Sequence, residues 1–247
     1  MQLFEPHIQQ VREFQERQKA NGAWKEYLHT GRVDWPASNY KNLVLAGDTA
    51  VELGHPEDVS TAFLLWTNNT ANVTDRRISV IGPDLKDLHN QKSAFGRIVL
   101  AAAEDFNEDN SFDRYREMEL LRYDIDLKGC MMRGVSQHQR EWSRVSRQAL
   151  NNGFSFDILG GALIDKFNNL PYISATEVIF VTQGREAVLE LKSIADRAIQ
   201  IIGAMNKMAE ELSLDCSTCE YNAVCSEVAG LRSMRSTLKQ RKAVAHA

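Results

Sequence analysis

The sequence predicts an α/β fold, in which a mixed sheet with flanking helices is followed by a C-terminal helical segment that carries cysteines. Short apolar segments bounded by turn residues predict the strands, and long stretches with apolar residues at helical spacing predict the helices. Three of the four cysteines lie within residues 216–225. The composition is 43% hydrophobic and 25% charged, which is typical of a globular protein able to bury a sizeable core.

Strands are predicted by short apolar or β-branched segments that lie between turn signals. The turn signals are Gly-His-Pro at 54–56 and Gly-Pro-Asp at 82–84, which interrupt regular structure. The predicted strands cover residues 43–45, 62–66, 78–81, 98–100 and 177–182.

Helices are predicted where apolar residues recur every three or four positions. Residues 1–19 place Leu3, Ile8, Val11 and Phe14 at this spacing, which predicts an amphipathic helix lying on the body of the protein or on a partner. Residues 21–39 are interpreted as a connector. The remaining predicted helices cover residues 112–127, 158–167 and 185–212, and a solvated basic helix covers residues 232–242.

These elements predict three regions: an N-terminal helix and connector (1–40), an α/β domain (41–212) and a metal-binding C-terminal segment (213–247). The formal net charge of -4 gives no basic surface that would recruit nucleic acid. No apolar run is long enough for a signal peptide or a membrane span. We therefore expect a cytoplasmic protein without membrane contact.

The strongest chemical signal is Cys216-Ser217-Thr218-Cys219, followed by Cys225. Two thiolates separated by two residues can bind one metal, and a nearby third thiolate completes three corners of a site. No histidine lies between Cys225 and Lys242 to supply a fourth ligand. An iron-sulfur cluster is therefore favoured over zinc, because a cluster corner can be left to solvent, substrate or a partner. Zinc stays the alternative metal, and the separate Cys130 is predicted to be a packed thiol.

A second candidate site lies in a basic segment and consists of Arg140, Trp142 and Arg144. Guanidinium groups beside an aromatic ring suit an anionic ligand such as a phosphate. The same pattern is also typical of a solvated protein surface, and spacing alone favours that interpretation.

Several segments, in this order, resemble a known family. They are residues 52–56 (Glu-Leu-Gly-His-Pro), 78–85 (Ile-Ser-Val-Ile-Gly-Pro-Asp-Leu), 142–146, 152–154 and the pair Cys216 and Cys219. They resemble the central domain of carbon-monoxide-dependent acetyl-CoA synthase, whose archaeal form is the β subunit of the acetyl-CoA decarbonylase/synthase complex. The resemblance extends over roughly residues 43–231, and residues 81–85 and the cysteines are its most specific parts.

The resemblance implies an α/β domain followed by a site in which a 4Fe-4S cluster is bridged to nickel-site metals. Cys216, Cys219 and Cys225 fall on the first three cluster ligands, and the segment with Arg140, Trp142 and Arg144 lies near the part implicated in CoA contact. The family has a longer gap between its second and third cysteines. It also has a fourth cysteine at the position of Arg232, and a Cys-Gly-Cys that this sequence lacks. The acetyl synthesis of the family is therefore not expected here.

Together these features predict an accessory iron-sulfur subunit that docks to at least one other protein subunit of a larger enzyme. It would transfer electrons or present a cluster corner to that enzyme. The first alternative is a metalloenzyme that uses an open cluster corner on a CoA-linked or one-carbon substrate. The second alternative is a structural zinc module that mediates assembly.

Overall fold

The computed structural model describes residues 2–21, 24–38, 43–88, 92–135, 140–210 and 215–245. Two mixed sheets and their surrounding helices confirm the predicted α/β class. We call the five-stranded sheet the large sheet and the four-stranded one the small sheet. The strands are β1 (Trp24–Leu28), β2 (Thr49–Leu53), β3 (Ser60–Thr67), β4 (Arg77–Ile81), β5 (Lys92–Ser93), β6 (Phe95–Ala103), β7 (Cys130–Val135), β8 (Arg140–Ser146) and β9 (Ile173–Val181).

The large sheet has the strand order β1-β4-β9-β6-β3, and the small sheet has the order β5-β2-β8-β7. In the large sheet β9 runs parallel to β4 and antiparallel to β6. Strands β3 and β6 are buried along their whole length, which explains why the sequence shows them as continuous apolar runs. The helices are α1 (Glu5–Ala20), α2 (Ser111–Leu120), α3 (Arg147–Asn151), α4 (Phe156–Asn168), α5 (Arg185–Glu210), α6 (Asn222–Glu227) and α7 (Ala229–Ala245).

Most of the strand and helix predictions are confirmed. The predicted segments 62–66, 78–81, 98–100 and 177–182 correspond to β3, β4, β6 and β9. The helices predicted at 158–167, 185–212 and 232–242 correspond to α4, α5 and α7. Residues 211 and 212 of the second prediction lie outside the described part of the chain. None of the described helices has both the length and the apolar character needed to cross a bilayer.

The strand predicted at residues 43–45 is wrong. These residues lead into a 3-10 turn at Ala46–Asp48, and the strand begins only at Thr49. Leu43 and Leu45 are exposed, whereas Val44 between them is buried. The apolar run anchors the chain through one side chain and does not pair with a neighbouring strand.

The amphipathic helix predicted in residues 1–19 is confirmed, and of its two predicted positions the structure shows the one on the body of the protein. The apolar stripe of α1 packs into the protein's own core, where Phe4, Val11 and Phe14 are fully buried. The Phe4 ring meets the edge of the Trp66 ring at a centroid distance of 4.5 Å. Helix α1 is therefore an integral layer of the domain, because it covers the large sheet and contacts α5.

A buried ion cluster fixes α1 to the large sheet. Glu177 on β9 is fully buried, and its two carboxylate oxygens each accept a 2.7 Å hydrogen bond from the Arg12 guanidinium of α1. Arg77 on β4 donates to the same carboxylate at 2.8 Å, and the backbone N–H of Thr74 donates at 3.0 Å. Burial alone would raise the Glu177 pKa, but the hydrogen bond and charge of Arg12, the charge of Arg77 and the hydrogen bond from the Thr74 backbone N–H outweigh it and lower the pKa.

The Gly-Pro-Asp-Leu segment at 82–85 has a structural role. Asp84 Oδ1 accepts hydrogen bonds from the backbone N–H of Leu85 at 2.7 Å and of Phe156 at 3.1 Å. Its Oδ2 accepts from the Tyr27 hydroxyl at 2.9 Å. Gly82 has φ of 103°, and a Cβ there would lie 2.5 Å from the backbone nitrogen of Gln183. The segment therefore joins β1, the end of β4 and the start of α4.

Candidate functional site

The three clustered cysteines line one small cavity at the end of the domain, which we call the thiol cavity. Its volume is about 20 Å³, which is close to the space of a single water molecule. Helix α5 forms one wall, the 215–221 loop and α6 carry the cysteines, and α7 closes the far side. The lining residues are Ala204, Lys207, Met208, Asp215, Cys216, Cys219, Tyr221, Asn222, Cys225 and Arg235.

Local contacts bring the cysteines together. Asp215 accepts hydrogen bonds from the Ser217 backbone N–H at 3.0 Å and from the Thr218 hydroxyl at 3.0 Å, which fixes the turn between the first two cysteines. Cys225 is buried on α6. Tyr221 packs onto α5 at Gly203, where a Cβ would lie 2.7 Å from the tyrosine hydroxyl. A glycine at this position therefore lets the cysteine segment approach α5 closely.

The thiol cavity also contains two cationic side chains. Arg235 of α7 donates from Nη1 to Asn222 Oδ1 at 3.3 Å, and Lys207 of α5 lies 3.9 Å from the Glu220 carboxylate. Burial raises the pKa of Cys225, the positive charge of Arg235 opposes that rise, and the thiols of Cys219 and Cys216 add to it. The cationic groups would stabilise thiolates or another anionic group in this cavity.

The identity of the donors fits an iron-sulfur cluster, but the cavity is not a preformed coordination site. Within the described residues, no group of three or more His, Cys, Asp or Glu side chains is arranged to hold a metal ion. Cys216 and Cys219 lie on a partly exposed turn outside any helix, whereas Cys225 is held in α6. Metal binding would therefore require the 215–221 turn to move relative to α6.

Cys130 lies apart from this cluster, as the sequence predicts. It is buried at the start of β7, and burial raises the pKa of its thiol to about 12, with a further contribution from Glu141. A thiol of this kind stays protonated at neutral pH and is a poor metal ligand.

The second candidate group lies on β8 in the small sheet. Arg140 donates from Nη2 to the backbone oxygens of His55 at 2.8 Å and Asp58 at 2.6 Å. Trp142 Nε1 donates to Glu52 at 2.6 Å, and Arg144 Nε donates to the same oxygen at 3.3 Å. The Arg144 guanidinium lies 4.5 Å from the centre of the Trp142 ring.

These contacts give each of the three residues a partner within the chain. Arg140 holds the turn at residues 55–58, while Trp142 and Arg144 form a stacked pair with Glu52. The described lining of the thiol cavity includes none of the three. Residues 136–139, immediately before β8, lie outside the described part of the chain.

Sequence reasoning missed Glu52, Lys207 and Arg235. Glu52 belongs to the segment 52–56 that carries the family resemblance, so the sequence signal that could have pointed to Glu52 was that segment. Arg235 follows Met234 and lies four residues after Leu231, both of which are buried. The helical spacing of those two residues was the signal that α7 packs against the domain and is not simply a solvated helix.

Comparison with known proteins identifies the family of the α/β domain. The family model described as CO dehydrogenase/acetyl-CoA synthase complex beta subunit matches residues 41–188. The thiol cavity lies beyond that matched range, because its first lining residue is Ala204.

Two similar proteins are archaeal. Acetyl-CoA decarbonylase/synthase complex subunit beta 1 of Methanosarcina thermophila is 25% identical over 177 residues, which cover 69% of this chain and 36% of that protein. The corresponding beta subunit of Methanopyrus kandleri is 28% identical over 170 residues, which cover 67% and 35%. The chain thus matches little more than a third of the length of these relatives. It belongs to the family of the CO dehydrogenase/acetyl-CoA synthase complex beta subunit.

Proposed function

We propose that this chain is an accessory subunit that binds one iron-sulfur cluster through Cys216, Cys219 and Cys225. The observation that carries the proposal is the convergence of three thiols on one cavity that also contains Lys207 and Arg235. Three thiolates can hold three corners of a 4Fe-4S cluster. The two cations would offset the negative charge that thiolate ligands bring.

The same geometry favours a cluster with one open corner. The turn that carries Cys216 and Cys219 is partly exposed, whereas α5 and Cys225 form the buried side of the cavity. A cluster held from one side would face solvent or another protein on its other side. This arrangement suits electron transfer to a partner, or presentation of a cluster corner to the site of a partner.

A partner subunit is also part of the proposal. The two archaeal relatives are named as subunits of an acetyl-CoA decarbonylase/synthase complex. We infer that this chain also acts in association with at least one other protein subunit. Its contact surface would lie at the thiol cavity and not at α1, because the apolar side chains of α1 are already buried in the domain.

Substitution of one cavity cysteine tests the metal site. Cys219→Ser should abolish the iron and sulfide content of anaerobically purified protein, because an alcohol at this position cannot replace a thiolate ligand. Cys130→Ala is the matched control, since Cys130 is a buried thiol outside the cavity. The control should retain its iron. Equal iron loss in both variants would contradict the assignment of the site.

The metal content of the wild type separates the alternatives. Zinc without iron or acid-labile sulfide would support a structural zinc module in place of the iron-sulfur protein. Iron and sulfide, together with turnover by the isolated chain on a CoA-linked or one-carbon substrate, would support the metalloenzyme. We expect the wild type to contain iron and acid-labile sulfide. We also expect the isolated chain to be inactive until its partner is added.

We further propose that Arg140, Trp142 and Arg144 contact the phosphates of CoA. Glu52 would compete with such a ligand, because it accepts hydrogen bonds from both Trp142 and Arg144. Glu52→Gln should therefore strengthen CoA binding. Arg144→Ala should weaken it by about 1.5–3 kcal/mol, the usual contribution of hydrogen bonds to charged groups.

Isothermal titration calorimetry with CoA measures both effects. Arg147→Ala is the control. The Arg147 guanidinium donates a hydrogen bond to the backbone oxygen of Gly47 at 2.7 Å, whereas Arg144 donates to Glu52. The control should bind CoA like the wild type. A wild-type protein that does not bind CoA would remove this part of the proposal without affecting the metal site.

A further inference from the structure

We propose that a groove between α2, α5 and α7 binds a basic amphipathic helix of a partner protein. The groove has a volume of about 400 Å³, which is within the range of protein binding pockets. The inference rests on the proposed association with another subunit, because it names the surface and the chemistry of that contact. It requires no metal.

The floor of the groove is apolar and contains three methionines. Met205 and Met208 belong to α5, Met234 belongs to α7, and all three are buried. Phe112 of α2 and Leu238 of α7 also line the groove, and they are only partly buried. Methionine side chains are flexible and adapt to different ligands. A floor of this kind, bounded by three helices, can accept the apolar face of another helix.

The polar lining of the groove is mostly acidic. Glu108, Asp109 and Asp113 contribute three carboxylates, whereas Arg116 contributes one guanidinium. Asp109 and Asp113 are exposed, so their carboxylates can contact a partner. Lysine or arginine at the edges of an apolar face would complement this charge, and an acidic helix would be repelled. The groove therefore favours a basic amphipathic helix over an acidic one.

The charges also give the partner helix a direction. The Ser233 hydroxyl of α7 donates a hydrogen bond to Glu108 at 3.3 Å, so the acidic end of the groove is joined to α7. Arg116 lies about one helical turn beyond Phe112 on α2, away from that end. The basic residues of the partner should therefore lie at the Glu108 end of the groove and not beside Arg116.

The groove adjoins the thiol cavity. Met208 of α5 lines both, and α7 contributes Met234 to the groove and Arg235 to the cavity. A helix in the groove would therefore lie beside the segment that carries the cysteines. This position agrees with the contact surface proposed for the partner subunit.

The test measures the fluorescence anisotropy of labelled peptides of about 15 residues, which carry leucine at helical spacing and lysine at the other positions. The full-length wild type, as purified, should bind this lysine peptide, and the affinity should fall as salt is added. A peptide with glutamate in place of lysine should not bind. A wild type that does not bind the lysine peptide, or binds both peptides equally, would overturn the proposal.

Charge reversal tests the acidic lining. Asp109→Lys/Asp113→Lys should bind the lysine peptide about tenfold more weakly, because two attractive charge pairs become repulsive. The matched control is Glu13→Lys/Glu16→Lys, which changes the net charge equally at exposed positions of α1 outside the groove. The control should bind the peptide like the wild type. Equal weakening in both variants would indicate attraction to overall charge and would overturn the proposal.

Leu238→Gln tests the apolar floor. It should weaken binding of the lysine peptide about tenfold, the factor expected for loss of one buried leucine contact. Leu189→Gln is the matched control, because Leu189 is exposed on α5 outside the groove. Asp113 lies in the first turn of α2, where a carboxylate favours the helix. If circular dichroism shows that the charge-reversal variant does not fold, Leu238→Gln decides, and an unchanged affinity would overturn the proposal.

Two other occupants of the groove would give different results. A wild type that sediments as a dimer, but as a monomer in Leu238→Gln, would assign the groove to a second copy and overturn the proposal. Peptide binding by Leu212→Ser/Leu214→Ser but not by the wild type would assign the groove to residues 211–214 of the chain itself, with the same consequence. Iron and sulfide analysis tests the cluster separately, so failure of the groove and failure of the metal site can be distinguished.

Discussion

Deletion of residues 1–20 is expected to leave the chain unable to fold. The deletion removes α1 and the buried side chains of Leu3, Phe4, Ile8, Val11 and Phe14. Each fully buried side chain of this kind contributes about 1.5–3 kcal/mol. The total of roughly 8–15 kcal/mol equals the whole stability of a typical domain, which is about 5–15 kcal/mol.

Soluble yield and far-ultraviolet circular dichroism measure this effect. Phe14→Ala removes only one of these buried side chains. It should lower the free energy of unfolding, measured by urea denaturation, by about 3–5 kcal/mol. Gln9→Ala is the control on the exposed face of α1, where Gln9 bonds only Glu13 among the described contacts, and it should change stability little. A deletion variant with native helicity would contradict the assignment of α1 to the core.

Glu177→Ala is expected to destabilise the large sheet strongly. It leaves the Arg12 and Arg77 guanidinium groups, each about one-fifth exposed, without the carboxylate that they share. Removing one partner of a buried ion pair usually costs about 3–5 kcal/mol. The matched control is Glu190→Ala. Glu190 lies on α5 and forms an exposed ion pair with Arg17, which lies on α1 like Arg12. An exposed pair of this kind contributes about 1 kcal/mol or less.

The same cluster predicts a dependence of stability on pH. The Glu177 pKa is lower in the folded state than its ordinary value of 4.5, so the stabilisation is fully present above that value. It is lost progressively as the pH falls from 4.5 through the folded-state pKa. Urea denaturation at a series of pH values should show this loss in the wild type and a weaker one in Glu177→Gln. Equal pH dependence in the two proteins would contradict the role of Glu177.

Four of the five strands of the large sheet could be predicted, because they are mostly buried and appear as apolar runs. Strand β1 is mostly exposed, and the interpretation of residues 21–39 as a connector missed it. The small sheet could not be predicted, because its β8 strand directs polar side chains inward. Glu141 is buried there and binds Arg97 of β6 at 2.6 Å, in an ion pair that joins the two sheets. A buried pair between distant residues leaves no periodic apolar signal. The segment therefore looked like a basic, solvated region.

The cysteines of the candidate site could be predicted from the sequence, but the other residues that line the cavity could not. The spacing of Cys216, Cys219 and Cys225 predicted that they would share one place, because close cysteines cannot separate far. Their cationic neighbours Lys207 and Arg235 come from two other helices, so only the folded chain brings them to the cavity. The apolar stripe of α1 is a different case. The same apolar spacing would appear whether this helix packed on a partner or on the protein's own core, because amphipathic spacing does not identify the surface that covers the apolar face.

The position of β9 has a consequence for synthesis of the protein. This strand lies between β4 and β6, yet residues 104–172 separate it in the chain from the end of β6. A ribosome adds about 5–20 residues per second, so the earlier strands wait several seconds for the strand that joins them. During that time β4 and β6 can pair with only part of their final neighbours, and their apolar faces are open to other chains. Growth temperature and chaperone supply should therefore affect the soluble yield of this protein.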